Sequence, residues 1–410
     1  MLTFRLAKLL MMVLVTTLMG ANGSSINGFV RNDLDGEPIS YANVFISNTS
    51  LGAATNRDGY FVISGISSGE YELNVSMIGY AIHKERINLA DSASVRIEVR
   101  LKSQAIKGSE VLVTAERQKF ERSMESSQIS LDIREINSAP AFIEPDVFRT
   151  LQMLPGVQTT SDFSSALYVR GSTPDQNLIM LDGIVVYNPY HLGGIFSTFN
   201  TDAIKEADFH AGGFPARHGG RMGAILNVIN REGNTNKITG MANISLISSK
   251  GLLEGPLPKL RGMKGSWMIS GRRTYFDSII DALKIPSGQN RDGSDSYFQF
   301  PYFFYDYQIK INLDINQDHR ITYSRFYGDD VLDYTYDDSE TIINQDVERK
   351  YDSGISIKWP WGNRTNGLIW RWIVSPELVA KTFISNSRYR FDFDLGFFSR
   401  DTYTYADSVT

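Results

Sequence analysis

His191, His210 and His218 lie close together in one glycine-rich stretch, and a metal site is the first chemistry such a grouping suggests. Their separations fit neither two ligands on a helix face nor a zinc knuckle, and each stands beside a glycine or aromatic turn. The chain has no cysteine, so thiolate sites, disulfides and CxxC redox chemistry are excluded. His83 stands alone with no spaced His or Glu partner and reads as a surface residue, and no strand-to-helix nucleophile elbow is present to support a hydrolase. Metal, cofactor and catalytic residues are therefore all expected to be absent. Arg170 and Asp182 remain of interest, because a charge in an apolar strand setting is costly unless it is paired.

The elements that carry these residues occupy positions 167–231. The runs Leu178 to Leu181 and Ile184 to Val186 flank Asp182-Gly183, a dipeptide suited to the positive φ angles of a tight hairpin. Glycines crowd the segment at Gly193-Gly194, Gly212-Gly213, Gly219-Gly220 and Gly223, which suits sharp bends and close approach of another wall. Composition alone is equally compatible with an ordinary small α+β domain rich in turns. The order says more: Val169-Arg170-Gly171, a polar turn, Met180-Leu181-Asp182-Gly183, a helical segment after Asn200, then Arg217-His218-Gly219-Gly220-Arg221 leading into Gly223 to Ile229. That sequence of pieces resembles the plug domain of TonB-dependent outer-membrane receptors, over roughly a hundred residues.

The resemblance implies a plug held in a barrel lumen, with Arg170, Gly171, Asp182, Gly183, Gly219, Gly220, Arg221 and Gly223 as its structural motif. The charges of Arg170 and Asp182 would then meet the barrel wall or each other. It also implies outward, ligand-facing turns at Ser172, Asp175 and Asn177, and at Tyr187, Asn188, Tyr190 and His191. Upstream, Pro145 suits a first helical turn, Val147, Leu151 and Leu154 follow at helical spacing, and Pro155-Gly156 ends the helix. The plug is placed at 128–232.

The chain has 410 residues and a formal net charge of -5. That length exceeds one compact domain, and no basic face is available for nucleic acid. Arg5 and Lys8 precede an apolar run from Leu9 to Met19 and then Gly20-Ala21-Asn22-Gly23, the layout of a cleaved signal peptide over 1–23. The run is too short for a membrane anchor, which needs roughly twenty residues. Export to the outer membrane of a Gram-negative-type bacterium is the address implied.

Across 24–101 short strands of period two (Val44-Ile46, Tyr60-Val62, Tyr71-Leu73-Val75, Val95-Ile97-Val99) are separated by turns at Asp35-Gly36, Asp58-Gly59 and Ser68-Gly69, which predicts a small antiparallel β-sandwich. Asn56 to Phe61 and Gly65 resemble the non-catalytic carboxypeptidase regulatory-like domain. The linker 102–127 is polar apart from Glu110, Val111, Leu112, Val113, Thr114 and Ala115. This β-branched hexamer is suited to strand addition and resembles the TonB box, implying TonB as partner; a last sandwich strand or first plug strand is the alternative.

From 233 to 410 longer segments alternate, as at Ala242-Ile244-Leu246, Trp267-Ile269, Tyr307-Ile309-Ile311-Leu313, Ile321-Tyr323, Ile355-Ile357-Trp359 and Leu378-Ala380. Aromatic clusters stand near strand ends, at Phe298-Phe300, Tyr302-Phe303-Phe304, Trp359-Trp361 and Trp370-Trp372. Together these predict transmembrane β-strands anchored at the lipid interface, with 281–296 and 329–346 as extracellular loops. The count is eight or nine strands, whereas a barrel wide enough to hold a plug belongs to the 22-strand class. The expectation is a mainly β chain: sandwich, α+β plug, then about the first eight strands of an incomplete transmembrane β-barrel, as an unclosed curved sheet. The resemblance implies active import of an external ligand through TonB, with outer-membrane lipid around it and, as in receptors with such a sandwich, a surface lipoprotein lid as a further partner. A non-transporting binding or adhesion protein, or a non-functional fragment, is the competing reading.

Overall fold

The computed structural model describes residues 24–104 and 128–405, apart from 92, 142–143, 162–163, 259–261, 290–294 and 345–346. The signal-peptide segment and the Glu110 to Ala115 hexamer lie outside the described residues.

The sandwich packs a three-stranded sheet, ordered Tyr60–Ile66, Ser24–Asn32, Ser94–Leu101, on a four-stranded one, ordered Gly52–Ala54, Asn43–Ile46, Gly69–Ser76, His83–Leu89. Alternation puts Ile26, Val30, Val44, Ile46, Phe61, Leu73, Val75 and Val99 between the layers. It is not purely antiparallel as expected, because Ser24–Asn32 runs parallel to Ser94–Leu101. Ser24–Asn32 is buried on both faces for most of its length, and on its outer side Phe29 packs with its sheet neighbour Tyr60 against Ile373 of Val347–Ser375.

The plug is built on a mixed five-stranded sheet, ordered Ile184–Val185, Leu178–Leu181, Ile225–Asn230, Ile204–His210, Gln128–Asp132. Asp182 and Gly183 take φ of 51° and 81°, a two-residue type I′ turn that sets the register Met180↔Val185 and Leu181↔Ile184. Two short helices cover one face. Ile133–Ser138 starts with a capping box between Asp132 and Glu135; Val147–Gln152 is capped by Asp146, whose carboxylate accepts from the amides of Phe148 and Arg149. Pro145 therefore precedes the cap rather than filling the first helical position, and the helix ends before Pro155. After Asn200 the chain makes a single 3₁₀ turn, Thr201–Ala203.

From Thr239 onward eight strands form one antiparallel sheet that curls partly around the plug. Thr239–Ile244, Ser248–Pro256, Lys264–Thr274, Tyr302–Asp314, His319–Asn344, Val347–Ser375 and Leu378–Phe391 pair in sequence order, and Asp394–Tyr405 pairs with the outer half of Val347–Ser375. Of the expected loop 329–346, the described residues 329–344 are instead part of the outer half of a long hairpin, His319–Asn344 against Val347–Ser375. The expected loop 281–296 contains the end of the helix Phe276–Leu283 and most of a small hairpin, Pro286–Gln289 with Asp295–Tyr297.

Candidate functional site

Tyr302–Asp314 shows how the sheet is oriented. Tyr302, Phe304, Asp306, Gln308, Lys310 and Asn312 are buried on the side facing the plug, while Phe303, Tyr305, Tyr307, Ile309, Ile311 and Leu313 face away. Polar inside and apolar outside is the reverse of a water-soluble sheet, and it suits a wall with lipid behind it and a polar lumen before it.

The inward side chains meet the plug as a chain of buried ion pairs. Asp182 accepts from Lys310 Nζ at 2.8 Å and from the Asn230 backbone amide at 3.1 Å, and Lys310 also donates to the Asn230 carbonyl at 2.9 Å. The Asp182-Gly183 turn thus fixes a hairpin and presents the carboxylate to the wall. Arg272 donates to Asp306 through Nε at 2.7 Å and to the Ser197 carbonyl at 2.8 Å. Lys250 reaches Glu144 at 2.7 Å. Arg320 joins Glu232 at 2.7 Å while also holding Asp314.

His191 sits at the centre of this interface. It is buried, stacked on Phe304 with ring centroids 4.0 Å apart. Nδ1 donates to Asp330 at 2.7 Å and Nε2 to Asp306 at 2.8 Å. Burial alone would push the imidazole down, but the carboxylates of Asp306 and Asp330 outweigh it and raise His191 to about 9. It is therefore a cation at neutral pH, which is the form that donates from both nitrogens. Tyr302 shares Asp330 and accepts from the Leu192 amide at 2.8 Å. Burial raises Glu232 too, but Arg320 and the neighbouring lysines dominate and hold it down at about 2.

The expected site residues separate into distinct groups. Asp182 meets the wall, whereas Arg170 is exposed and sits at φ 49° ahead of Gly171, its guanidinium lying over Gly212 at the plug surface. His191 is a correction: the turn that carries it points into the wall, so it faces no open site. Ser172 and Asn177 are engaged inside the plug. Ser172 Oγ donates to the Val169 carbonyl at 2.8 Å, and Asn177 bonds the Leu167 carbonyl and the Ala224 amide at 2.8 and 3.0 Å. A Cβ at Gly223 would stand 2.5 Å from both Ser172 Oγ and Asn177 Oδ1, so that glycine is required by close approach. Asn188 pairs with Asn363 of the wall. Asp175, Asn177, Tyr187, Tyr190 and Arg221 line a cavity of about 250 Å³. Gly219 and Gly220 stand in an open turn, with nothing near a would-be Cβ.

The wall residues Lys250, Arg272, Asp306, Lys310, Arg320 and Asp330 were not anticipated individually. Their signal was present in Asp306-x-Gln308-x-Lys310-x-Asn312, a polar side interleaved with Tyr307, Ile309, Ile311 and Leu313. Gly65-Ile66-Ser67-Ser68-Gly69 spells G-x-S-x-G but joins Tyr60–Ile66 to Gly69–Ser76, two strands, so it is no elbow. Among the described residues no cluster of three or more His, Asp or Glu is placed to hold a metal, and no helix is long and apolar enough to cross a membrane.

The polarity reverses along the long hairpin. Up to Asp330 the plug-facing side carries Arg320, Thr322, Ser324 and Asp330, and the register then runs without interruption through Tyr334 and Tyr336 on that same side, paired with Ile357 and Ile355. Tyr351, Ser353, Phe397 and Ser399 continue this face, and with Tyr336 and Ile355 they line a groove of about 410 Å³. The opposite side changes from Ile321, Tyr323, Trp370 and Leu368 to Asp333, Thr335, Lys358, Ser356 and Lys350. The outward side thus turns from apolar to polar near Asp329-Asp330.

Residues 129–225 match the TonB-dependent Receptor Plug Domain family, and residues 26–113 match the CarboxypepD_reg-like domain family. The chain carries the plug of a TonB-dependent receptor. The plug match covers the two helices and four of the five sheet strands apart from Gln128, and ends at the first residue of Ile225–Asn230. The regulatory-like match extends through Val113, into the segment read either as a TonB box or as a last sandwich strand. Among solved structures, two outer-membrane proteins are similar to parts of the chain. A mutant (R480A_Q482A) of the ferric enterobactin receptor PfeA from Pseudomonas aeruginosa is 14% identical, covering 66% of this chain and 46% of its own, with a TM-score of 0.36. The outer membrane transporter YddB from Escherichia coli is 9% identical, covering 68% and 55%, with a TM-score of 0.38. A cohesin–X-dockerin complex from Acetivibrio cellulolyticus is 19% identical over 22% of this chain and 64% of that one, with a TM-score of 0.19. The plug-bearing chain spans about half the length of the two transporters. No curated protein matches it.

Proposed function

We propose that this chain belongs to an outer-membrane receptor that binds an external ligand and imports it by TonB-coupled transport. Its parts are an exported sandwich (24–101), a linker with the TonB-interacting handle Glu110 to Ala115 (102–127), the gating plug (128–232) and barrel wall (233–410). The observation that carries the reading is the inverted polarity of Tyr302–Asp314, whose inward Asp306 and Lys310 engage His191 and Asp182 of the plug while its outward side is apolar. A plug fixed to its wall by buried charges closes the lumen, and passage then requires work to part them. The aromatic face bearing Tyr336, Tyr351 and Phe397, above the plug and inside the rim, is the ligand-facing surface on this reading, together with the cavity at Asp175, Tyr187 and Tyr190.

The test is to express the complete reading frame in a Gram-negative host and fractionate its envelope, with a single cysteine at Leu112 and a second on TonB. Transport predicts a heat-modifiable outer-membrane protein and a TonB disulfide that depends on Leu112→Cys. An outer-membrane protein that never crosslinks at this segment would favour a non-transporting binding protein, and a secreted product would sink the membrane reading altogether.

A further inference from the structure

One face of the sandwich touches both the plug and the wall. Toward the plug, Arg57 forms an ion pair with Asp208, which is fully buried in the strand Ile204–His210 yet has no well-aligned hydrogen bond. Ser40 faces Glu206 and Lys205 of that strand. Glu37 accepts from the Glu232 amide at 3.0 Å and lies 3.7 Å from Arg231, where the plug passes into the wall. Asp35 and Asn236 add backbone-level contacts at the same junction, through Thr235 and through the carbonyls of Asp33 and Leu34.

Toward the wall, the same sandwich grips two turns. Arg96 pairs with Asp318 in the turn that joins Tyr302–Asp314 to His319–Asn344. The Tyr60 hydroxyl donates to the Pro376 carbonyl at 2.8 Å, Ser64 donates to Glu377 at 2.9 Å, and Lys381 reaches Asp58 at 2.7 Å. Phe29 and Tyr60 pack on Ile373, with Val379 beside them, and the Arg371 guanidinium lies 4.8 Å above the Phe29 ring.

A rigid body fixed to both partners prevents them from separating. The plug therefore moves relative to the wall only after the sandwich lets go of one of them. The apolar part of the contact is small and the rest is polar, as in interfaces that dock and separate rather than in a fused core. The chain between the sandwich and the plug, 105–127, is 23 residues long by sequence. Extended, it reaches up to about 80 Å, enough for the sandwich to swing clear while both domains stay folded. Because that linker leaves directly from the sandwich's last strand, tension on it loads the sandwich contacts as well as the plug.

We propose that the N-terminal sandwich is a releasable clamp that ties the plug to the turns at one end of the barrel wall, and that its undocking precedes plug displacement. The pins are Arg57 on Asp208, Glu37 on the 231–233 junction, Arg96 on Asp318, and Tyr60 and Ser64 on the Pro376-Glu377 turn.

The test needs neither ligand nor TonB, so it is independent of whether transport is established. Hydrogen exchange is followed by mass spectrometry on the full-length receptor in detergent micelles, wild type against Arg57→Glu/Arg96→Glu. A clamp predicts at least tenfold faster exchange across Ile204–His210 and the 375–378 turn, with Asn43–Ile46 and Gly69–Ser76 inside the sandwich unchanged. Wild-type exchange at both places in the variant overturns it. A second measurement covers the case in which the variant sandwich unfolds. Ser64→Cys and Glu377→Cys, the only thiols in a cysteine-free chain, are bridged with a short bismaleimide. Bridging should slow the opening of Ile204–His210 severalfold against the unbridged double mutant, and an unchanged rate overturns the clamp.

Discussion

The plug meets two neighbours, and it meets them differently. Against the wall it presents charges that are almost wholly out of water: Asp182 and the wall's Lys310 are 5% and 7% exposed, Glu144 and the wall's Lys250 are 9% and 6% exposed, and His191 is 1% exposed between two wall carboxylates. The sandwich's pairs are wetter, with Arg57 and the plug's Asp208 at 34% and 0%, Arg96 and the wall's Asp318 at 27% and 45%, and Asp58 and the wall's Lys381 at 22% and 48%. Desolvated pairs are costly to take apart one partner at a time, whereas half-exposed pairs rehydrate as they separate. The wall contact is thus a lock and the sandwich contact a latch. An assembly that must open has reason to place its weaker contact next to the segment that joins its two domains.

The largest effect should follow Asp306→Ala, which leaves both Arg272 and His191 as buried cations short of a partner. Loss of one member of a buried network costs about 3–5 kcal/mol, read as a fall in the denaturant midpoint at which plug amides exchange. Arg96→Ala at the latch should cost well under half of that. Equal losses would erase the distinction between the two contacts.

Acidity separates them next. His191, raised to about 9, faces Asp306 and Asp330, with Arg272 on the far oxygen of Asp306 and Tyr302 on Asp330. A folded-state value above the ordinary 6.5 means that its contribution is complete below pH 6.5 and disappears as pH climbs through 9. Glu37 is raised to about 7 by burial, against the opposing pull of Arg231 and Lys205 and with Asp35 and Glu232 adding to the rise. Its contribution is full below about pH 4.5 and is lost by pH 7, so the latch loosens at lower pH than the lock. Exchange of plug–wall amides should accelerate between pH 6.5 and 9 after correction for intrinsic rates, and His191→Gln should flatten that rise. Sandwich-contact amides should change between pH 4.5 and 7, and Glu37→Gln should abolish that change.

The smallest effect belongs to Tyr60→Phe, which removes one hydrogen bond to a turn carbonyl that water can replace. It should weaken docking by about 1 kcal/mol, read as roughly fivefold faster exchange at the 375–378 turn with the lock untouched.

Local chemistry was legible in the sequence and distant pairing was not. Asp182-Gly183 announced a hairpin because the turn's dihedral demand is met within two residues. The inward Asp306 to Asn312 series was visible as alternation, yet nothing local tells that Asp306 will meet a histidine 115 positions upstream. His191 looked like a turn residue open to ligand because its neighbours are Tyr190, Leu192 and two glycines, and only the wall supplies its carboxylates. Arg170 looked costly because it follows an apolar strand, but a left-handed turn takes it into water. The hairpin 329–346 read as loop because beyond Asp330 its outer side is polar, where the earlier part of the same strand was apolar. On the transporter reading the strand leaves one solvent for another without changing its backbone.

That change of solvent also sets a height. From Leu332 to the tip the strand runs on for 13 residues, 332–344, about 43 Å of extended chain at ~3.3 Å per residue. Tilted as barrel strands are, it stands about 30 Å proud, roughly the thickness of the hydrocarbon core beneath it. On the transporter reading, a molecule arriving from outside meets this aromatic mast long before it reaches the lipid headgroups. The catchment of the receptor is then set by how far a pair of strands projects, and the width of the barrel mouth matters only afterwards.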